Sequence, residues 1–96
     1  MTKVVWTPAA LRDVRRLHAF LVSKSPAAAQ RAARAIRAGT AALRDHPQLG
    51  RQVKEMPPEF RERHVPFGNS GYVILYRYDG QQATILAVRH SREAGY

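Results

Sequence analysis

The sequence predicts an α+β domain with the element order β-α-α-β-β-β, in which a helical hairpin packs on a small antiparallel sheet. Three observations predict this class: two proline-led amphipathic helices in the first half, a β-hairpin pattern in the second half, and a length of 96 residues. A chain of this length forms one modest hydrophobic core. We therefore expect a single domain over residues 1–96.

The first strand and first helix are marked by their boundary residues. Residues 3–6 read as a short strand that ends in Trp6, which we expect in the core. Thr7-Pro8 then supplies a side-chain N-cap and a proline at the first helical position. Apolar residues recur behind it at helical spacing and predict an amphipathic helix of about four turns: Leu11, Val14, Leu17 and Leu21.

The second helix repeats the same start signal at Ser25-Pro26 and ends at His46-Pro47. Gly39 lies mid-helix, where glycine costs about 1 kcal/mol relative to alanine, so it predicts close packing. The apolar stripe is rich in alanine and predicts that the two helices form a hairpin: Ala29, Ala32, Ala33, Ile36, Thr40 and Leu43.

Residues 48–59 read as a connecting loop with two prolines and one charged run. Residues 60–67 alternate as a strand, with Arg61, Arg63 and Val65 on one face and Glu62 and His64 on the other. The Gly-Asn-Ser-Gly sequence at 68–71 predicts a turn into the next strand.

The strongest local signal is a β-hairpin around Asp79-Gly80. Residues 72–78 and 83–88 are rich in β-branched and aromatic side chains, and Asp-Gly between such runs is typical of a two-residue turn with positive φ at both positions. A two-residue loop places Ile74 opposite Ile85.

That register also assigns residues to the two faces of the sheet. Because side chains alternate, Arg89 is predicted on the face of Ile74, and His90 on the face of Val73. Both faces are then apolar. The helices can cover one face, and the apolar surface left on the other face predicts contact with a partner.

The charge of the chain predicts an acidic partner. Sixteen basic against seven acidic residues give a formal net charge of +9 and a pI of about 11.1. Residues 1–46 carry nine basic and two acidic side chains, so most of the excess lies in the helical half. The partner is expected to be nucleic acid, an acidic protein, or both in turn; a merely soluble basic surface is the alternative.

Composition also excludes several classes of site. The chain has no cysteine, which excludes disulfides and thiol chemistry and fits a reducing cytoplasm. The N-terminus shows neither a signal peptide nor a membrane span. His18, His46 and His64 are too widely spaced to predict a metal site.

Taken together, the order and spacing of five segments resemble the RelE/ParE superfamily of bacterial type II toxins over nearly the whole chain. These segments are Trp6-Thr7-Pro8, Pro-Ala-Ala-Ala at 26–29, Leu-Arg-Asp-His-Pro-Gln-Leu-Gly-Arg at 43–51, Tyr-Val-Ile-Leu-Tyr-Arg at 72–77 and Val-Arg-His-Ser-Arg-Glu at 88–93. The resemblance implies a cytoplasmic toxin without a cofactor. It also implies an acidic antitoxin encoded beside the toxin, bound in a hetero-oligomer such as a dimer of heterodimers.

The superfamily has two activities, and the residues favour one of them. RelE-like members are ribosome-dependent endoribonucleases, whereas ParE-like members inhibit DNA gyrase and serve in plasmid stabilisation. Val73 stands where the nuclease pattern commonly has arginine, and only Arg51 and Lys54 replace its closely spaced lysine pair. We therefore expect a ParE-like gyrase inhibitor, with target binding by Arg77, Arg89, His90 and Arg92.

Two alternatives remain open. An mRNA endoribonuclease would act through His90, Arg61, Arg63, Arg89 and Tyr96. A non-toxic nucleic-acid-binding module would use the arginine faces of the helices.

Each candidate residue also has a simpler interpretation. His90 could pack at a strand end or bind antitoxin, and Arg77 could be a solvated strand end on the face of His90. Arg61 and Arg63 could clamp a phosphate or pair with Glu59 or Glu93. Tyr96 could stack on a base or on the sheet.

Overall fold

Two helices lie against one face of a five-stranded sheet in a computed structural model that describes residues 1–93. In chain order the elements are β1 (Lys3–Trp6), α1 (Pro8–Val22), α2 (Pro26–Ala41), a 3-10 turn (Ala42–Arg44), β2 (Arg51–Gln52), β3 (Phe60–Phe67), β4 (Ser70–Tyr78) and β5 (Gln82–His90).

Both helices begin where the sequence predicts. The Thr7 hydroxyl accepts a hydrogen bond from the Ala10 amide at 3.1 Å and donates to the Ile85 carbonyl at 2.8 Å, so this cap also fixes α1 to β5. The Ser25 hydroxyl accepts from the Ala28 amide at 3.2 Å. Within residues 1–93, no helix has both the length and the apolar character needed to cross a bilayer.

The sheet order is β1-β5-β4-β3-β2, with β4 at the centre. β1 runs parallel to β5, and the other pairs are antiparallel. The sequence predicted neither this parallel pair nor β2, which lies inside the segment expected to be a loop. The predicted α+β class with a helical hairpin on the sheet is confirmed.

The predicted hairpin register is wrong, because the turn is longer than two residues and because β5 contains a bulge. Tyr76 pairs with Ile85 but Leu75 pairs with Ala87, which leaves Leu86 as an extra residue. The turn spans residues 79–81 rather than two residues, and the Asp79 carboxylate accepts hydrogen bonds from the Gln81 and Gln82 amides.

One inserted residue reverses the faces of everything that follows it. The longer turn and the bulge together pair Ile74 with Val88 rather than Ile85. His90 pairs with Tyr72 and lies on the helix-covered face, and Arg89 pairs with Val73 on the opposite, outer face. Both face assignments from the sequence are thus exchanged.

The core lies between the helices and the inner face of the sheet. Its largest fully buried side chains are Ile36, Leu43, Ile74, Tyr76, Ile85 and Val88. Gly39 is packed as predicted, since a Cβ there would lie 2.5 Å from Val65 Cγ2. Leu11, predicted in the apolar stripe of α1, is instead 42% exposed, and its neighbour Ala10 is buried.

The outer face of the sheet is less open than the sequence predicted. Val73 and Leu75 are each only 8% exposed. The large exposed apolar side chains lie elsewhere, and Phe20 on α1, at 63% exposure, is one of the most exposed.

Candidate functional site

An apolar groove of about 600 Å³ opens between α1, the β3–β4 turn and the end of β5. Leu17, Phe67 and Tyr72 contribute apolar surface, and Phe20 stands at the groove with most of its ring exposed. The charged residues of the groove are Arg16, Arg92 and Glu93. The groove is thus an apolar surface bordered by two cations and one carboxylate.

A row of rings forms one wall of this groove. The Phe67 and Tyr72 ring centroids lie 5.7 Å apart, and the Tyr72 ring meets the His90 ring edge-on at 5.6 Å. These rings come together because β3, β4 and β5 are adjacent and because the bulge places His90 on the inner face. Burial raises the pKa of the Tyr72 hydroxyl.

Both ring nitrogens of His90 are engaged. Nδ1 accepts a hydrogen bond from the Arg92 amide at 3.2 Å, and Nε2 lies 2.9 Å from the Ser70 hydroxyl. Because a backbone amide can only donate, Nδ1 is the unprotonated nitrogen and Nε2 donates to Ser70 in this arrangement. Both hydrogen bonds therefore fix the orientation of the His90 ring in the groove wall.

Glu93 fastens the end of the described chain to α1. Its carboxylate accepts from the His90 amide at 2.7 Å and forms an ion pair with Arg16 at 2.8 Å. Hydrogen bonding from the His90 amide, followed by the Arg16 side chain, lowers the pKa of the Glu93 carboxyl. The groove keeps its shape because these bonds fix its C-terminal border.

Arg61 and Arg63 share the inner face of β3, as predicted, but both are bound to backbone carbonyls. Arg61 Nη1 donates to the Gly50 carbonyl at 2.7 Å, and Arg63 Nε donates to the Gly39 carbonyl at 2.9 Å. Neither makes an ion pair with Glu59 or Glu93 among residues 1–93. Their guanidinium groups anchor the loop after α2 and the last turn of α2 to the sheet.

The groove brings together two of the four residues predicted to bind a target. His90 and Arg92 both line the groove. Arg89 lies on the outer face, where its Nη1 donates to the Glu93 carbonyl at 3.0 Å.

Arg77 lies on the same outer face as Arg89. Along β4 it is five residues from Tyr72, the residue that pairs with His90, and this separation corresponds to roughly 17 Å. It forms an ion pair with Glu59 at 3.9 Å. The sequence placed Arg77 on the face of His90, and the bulge makes that wrong. Tyr96 lies outside the described residues.

Metal binding has no support in the described chain. Among residues 1–93, no group of three or more histidine, aspartate or glutamate side chains is arranged to hold a metal ion.

Comparison with known proteins identifies the family. Residues 4–95 match the family model described as the ParE toxin of the type II toxin-antitoxin system, parDE. The chain belongs to the ParE toxin family. This toxin is also 37% identical over 93 residues to Toxin RelE3 of Caulobacter vibrioides, covering 97% of this chain and 98% of the relative. It is 38% identical over 84 residues to Toxin RelE1 of the same organism, covering 88% and 87%.

Solved structures confirm the fold of the toxin. A chain of the chromosomal ParDE system from P. aeruginosa matches with a TM-score of 0.75 at 19% identity, covering 96% of this chain and 98% of that one. A chain of the RelBE2 toxin-antitoxin complex from Mycobacterium tuberculosis matches with a TM-score of 0.66 at 24% identity, covering 93% and 96%. The resemblance to the RelE/ParE superfamily is confirmed.

Sequence reasoning missed the part of the toxin's groove that comes from α1. Arg16 and Phe20 were not singled out, although Phe20 is a large apolar residue outside the predicted apolar stripe of its helix. An apolar side chain in that position is exposed unless a partner covers it. That signal was present in the sequence.

Proposed function

We propose that this type II toxin is ParE-like and acts in the cytoplasm by inhibiting DNA gyrase. The observation that carries the proposal is the binding of Arg61 and Arg63 to backbone carbonyls. A ribonuclease needs cations directed at the scissile phosphate. In this toxin the two arginines of β3 donate into the fold instead.

Two further features support the same target. Val73, which replaces the arginine of the nuclease pattern, lies on the outer face and is nearly buried. His90 has both ring nitrogens occupied by Ser70 and the Arg92 amide, so proton transfer by His90 would require these bonds to break. We assign His90 and Arg92 to target binding at the groove.

The test compares both activities in one preparation of the toxin. Gyrase supercoiling should be inhibited, and ribosome-bound message should remain uncut. His90→Ala should keep most of the inhibition, because a single binding contact contributes less than the about 10²- to 10⁴-fold of a general acid or base. Arg92→Ala should weaken inhibition, whereas Lys54→Ala, an exposed cation outside the groove, should not. Cleavage of message that disappears in His90→Ala would overturn the gyrase assignment.

The second candidate is a RelE-like, ribosome-dependent mRNA endoribonuclease. It is favoured by the names of the two curated relatives, both RelE toxins, at 37% and 38% identity. His90 would be its acid or base, and Arg61 and Arg63 would have to leave their carbonyls on the ribosome. Loss of message cleavage in an Arg61→Ala variant that is still folded would support this candidate.

We further propose that an antitoxin neutralises the toxin by placing an amphipathic acidic segment in the groove, within a hetero-oligomer such as a dimer of heterodimers. The groove offers apolar surface for the segment's core contacts, and Arg16 and Arg92 offer charge pairing at its edge. The structural neighbours come from ParDE and RelBE toxin-antitoxin systems, which supports such a partner.

Coexpression with the product of the adjacent gene tests this partner. Phe20→Glu should weaken the affinity of the complex at least about tenfold. The variant loses an interface aromatic and places a negative charge against the acidic segment, and such a change typically costs more than about 1.4 kcal/mol of binding free energy. Leu49→Glu is the matched control, because Leu49 is 48% exposed and lies outside the groove. Equal affinities of the two variants, measured by sedimentation, would exclude the groove as the antitoxin site.

A further inference from the structure

The outward face of α2 carries a row of three arginines, Arg31, Arg34 and Arg37, which we call the α2 ridge. All three are exposed. Their spacing of three residues moves each side chain by about 4.5 Å along the helix axis. Ala32 and Ile36, on the opposite side of the helix, are buried against the rest of the domain. The α2 ridge thus lies on the side of α2 that faces away from the core.

Nothing in the described chain neutralises the α2 ridge. None of its arginines makes an ion pair within residues 1–93. The sequence has no aspartate or glutamate between Asp13 and Asp45, and α2 has no acidic residue in its first turn. Like charges three residues apart on a helix repel each other. The charges of the α2 ridge are therefore exposed to solvent and not balanced by an ion pair within residues 1–93.

The surroundings of the α2 ridge define what it can bind. The other exposed residues of α2 are small or polar, such as Gln30 and Ala38, and none of the large exposed apolar residues lies on this helix. A protein partner would normally bring an apolar centre to its interface, and a membrane would need apolar side chains to insert. An extended anionic ligand, held by charge alone along the row of arginines, fits the α2 ridge better than a protein or a membrane does.

The side-chain chemistry points to phosphate. All three cations are arginine, whose planar fork pairs with two phosphate oxygens at once. Because α2 has no aromatic residue, it offers no platform for the stacked bases of a single strand. We propose that the α2 ridge binds the phosphate backbone of a nucleic-acid duplex, DNA or RNA, without reading its sequence. This site is separate from the groove, which involves α1 and β5 but no residue of α2.

The test measures binding of the chain, made by cell-free translation, to labelled duplexes of unrelated sequence. Fluorescence anisotropy is followed over about 50 to 200 mM salt, where the logarithm of affinity falls by about 0.9 per phosphate neutralised for each tenfold rise in salt. Replacing the three arginines of the α2 ridge with glutamine should reduce this slope by about 2.7 and weaken binding at least about tenfold at low salt. DNA and RNA duplexes are measured in parallel to tell which is bound more tightly.

A matched control separates the α2 ridge from net charge. Replacing Arg12, Arg15 and Lys54 with glutamine removes the same charge from exposed positions away from α2 and should change the slope by less than half as much. Equal effects of the two triple variants, or no effect of either, would overturn the proposal. Tighter binding to poly-glutamate than to both duplexes would do the same, since it would indicate an acidic protein partner. Urea unfolding confirms that each variant is folded.

Discussion

Replacing Tyr76 with phenylalanine should destabilise the toxin by about 2–4 kcal/mol. Tyr76 is fully buried, and its hydroxyl donates to the Pro47 carbonyl at 2.7 Å and accepts from the Gly50 amide at 2.9 Å. The substitution removes both hydrogen bonds without changing the ring. A net hydrogen bond contributes about 1 kcal/mol, and a buried amide left without a partner costs about 1–3 kcal/mol. Such a loss is a large fraction of the about 5–15 kcal/mol that stabilises a small domain.

The assay is equilibrium unfolding in urea at pH 7. An unchanged slope of unfolding free energy against urea concentration would show that the folded and unfolded states keep their compactness. Tyr78→Phe is the control, because its hydroxyl makes an exposed bond to the Gly80 carbonyl at 3.2 Å and should cost less than about 0.5 kcal/mol. Hydrogen exchange at the Gly50 amide should accelerate only in Tyr76→Phe. Equal stabilities of the two variants would refute the argument that this hydroxyl holds the loop after α2.

Three further perturbations test other parts of the fold. Gly39→Ala should destabilise the toxin by about 1–3 kcal/mol despite better helix propensity, because its Cβ would lie 2.5 Å from Val65 Cγ2. Adding Val65→Ala should relieve this overlap. If the double variant instead loses the sum of the two single losses in stability, the two side chains do not contact each other. Ile36→Asp should abolish cooperative thermal unfolding, since this position is 2% exposed and the carboxylate would have no partner. A melting temperature near that of the parent would show that this side of α2 does not face the core. Glu93→Gln should lower stability at neutral pH and make no difference in acid. The folded pKa of Glu93 is lowered, so its contribution is complete above its ordinary value of 4.5 and disappears as pH falls through the folded value; a difference that persists at pH 2 would contradict the role of its charge in binding Arg16.

Local signals in the sequence predicted the local parts of the fold. Thr7-Pro8 and Ser25-Pro26 set the helix starts because a hydroxyl and a proline act within one turn. Gly39 predicted close packing because an interior helical glycine needs such a reason.

The bulge could not be predicted, and it moved the candidate site. Residues 85–88 read Ile-Leu-Ala-Val, and four consecutive apolar residues satisfy either register of the hairpin. The choice is made by tertiary packing against the helices, where the Asp13 carboxylate accepts from the Val88 amide at 2.9 Å. His90 and Arg89 exchanged faces as a result.

The partners of Arg61 and Arg63 were also beyond sequence reasoning. The alternation of β3 placed both on one face, but their acceptors are backbone carbonyls of Gly50 and Gly39. Every residue has a carbonyl, so no residue type indicates which one an arginine will reach. Charge patterns suggested carboxylates or phosphate, and only the fold brings the carbonyls within range.

The parallel pairing of β1 with β5 makes the order of synthesis matter. Lys3 pairs with Gln82, so the first strand made waits for the last one before it can join the sheet. At about 5–20 residues per second, translation of the intervening segment takes on the order of 4–16 s. A nascent chain stopped before β5 has no edge for β1 and lacks one border of the groove. We expect toxicity to appear only on completion of the chain, and ribosome-bound truncations of increasing length would locate that point.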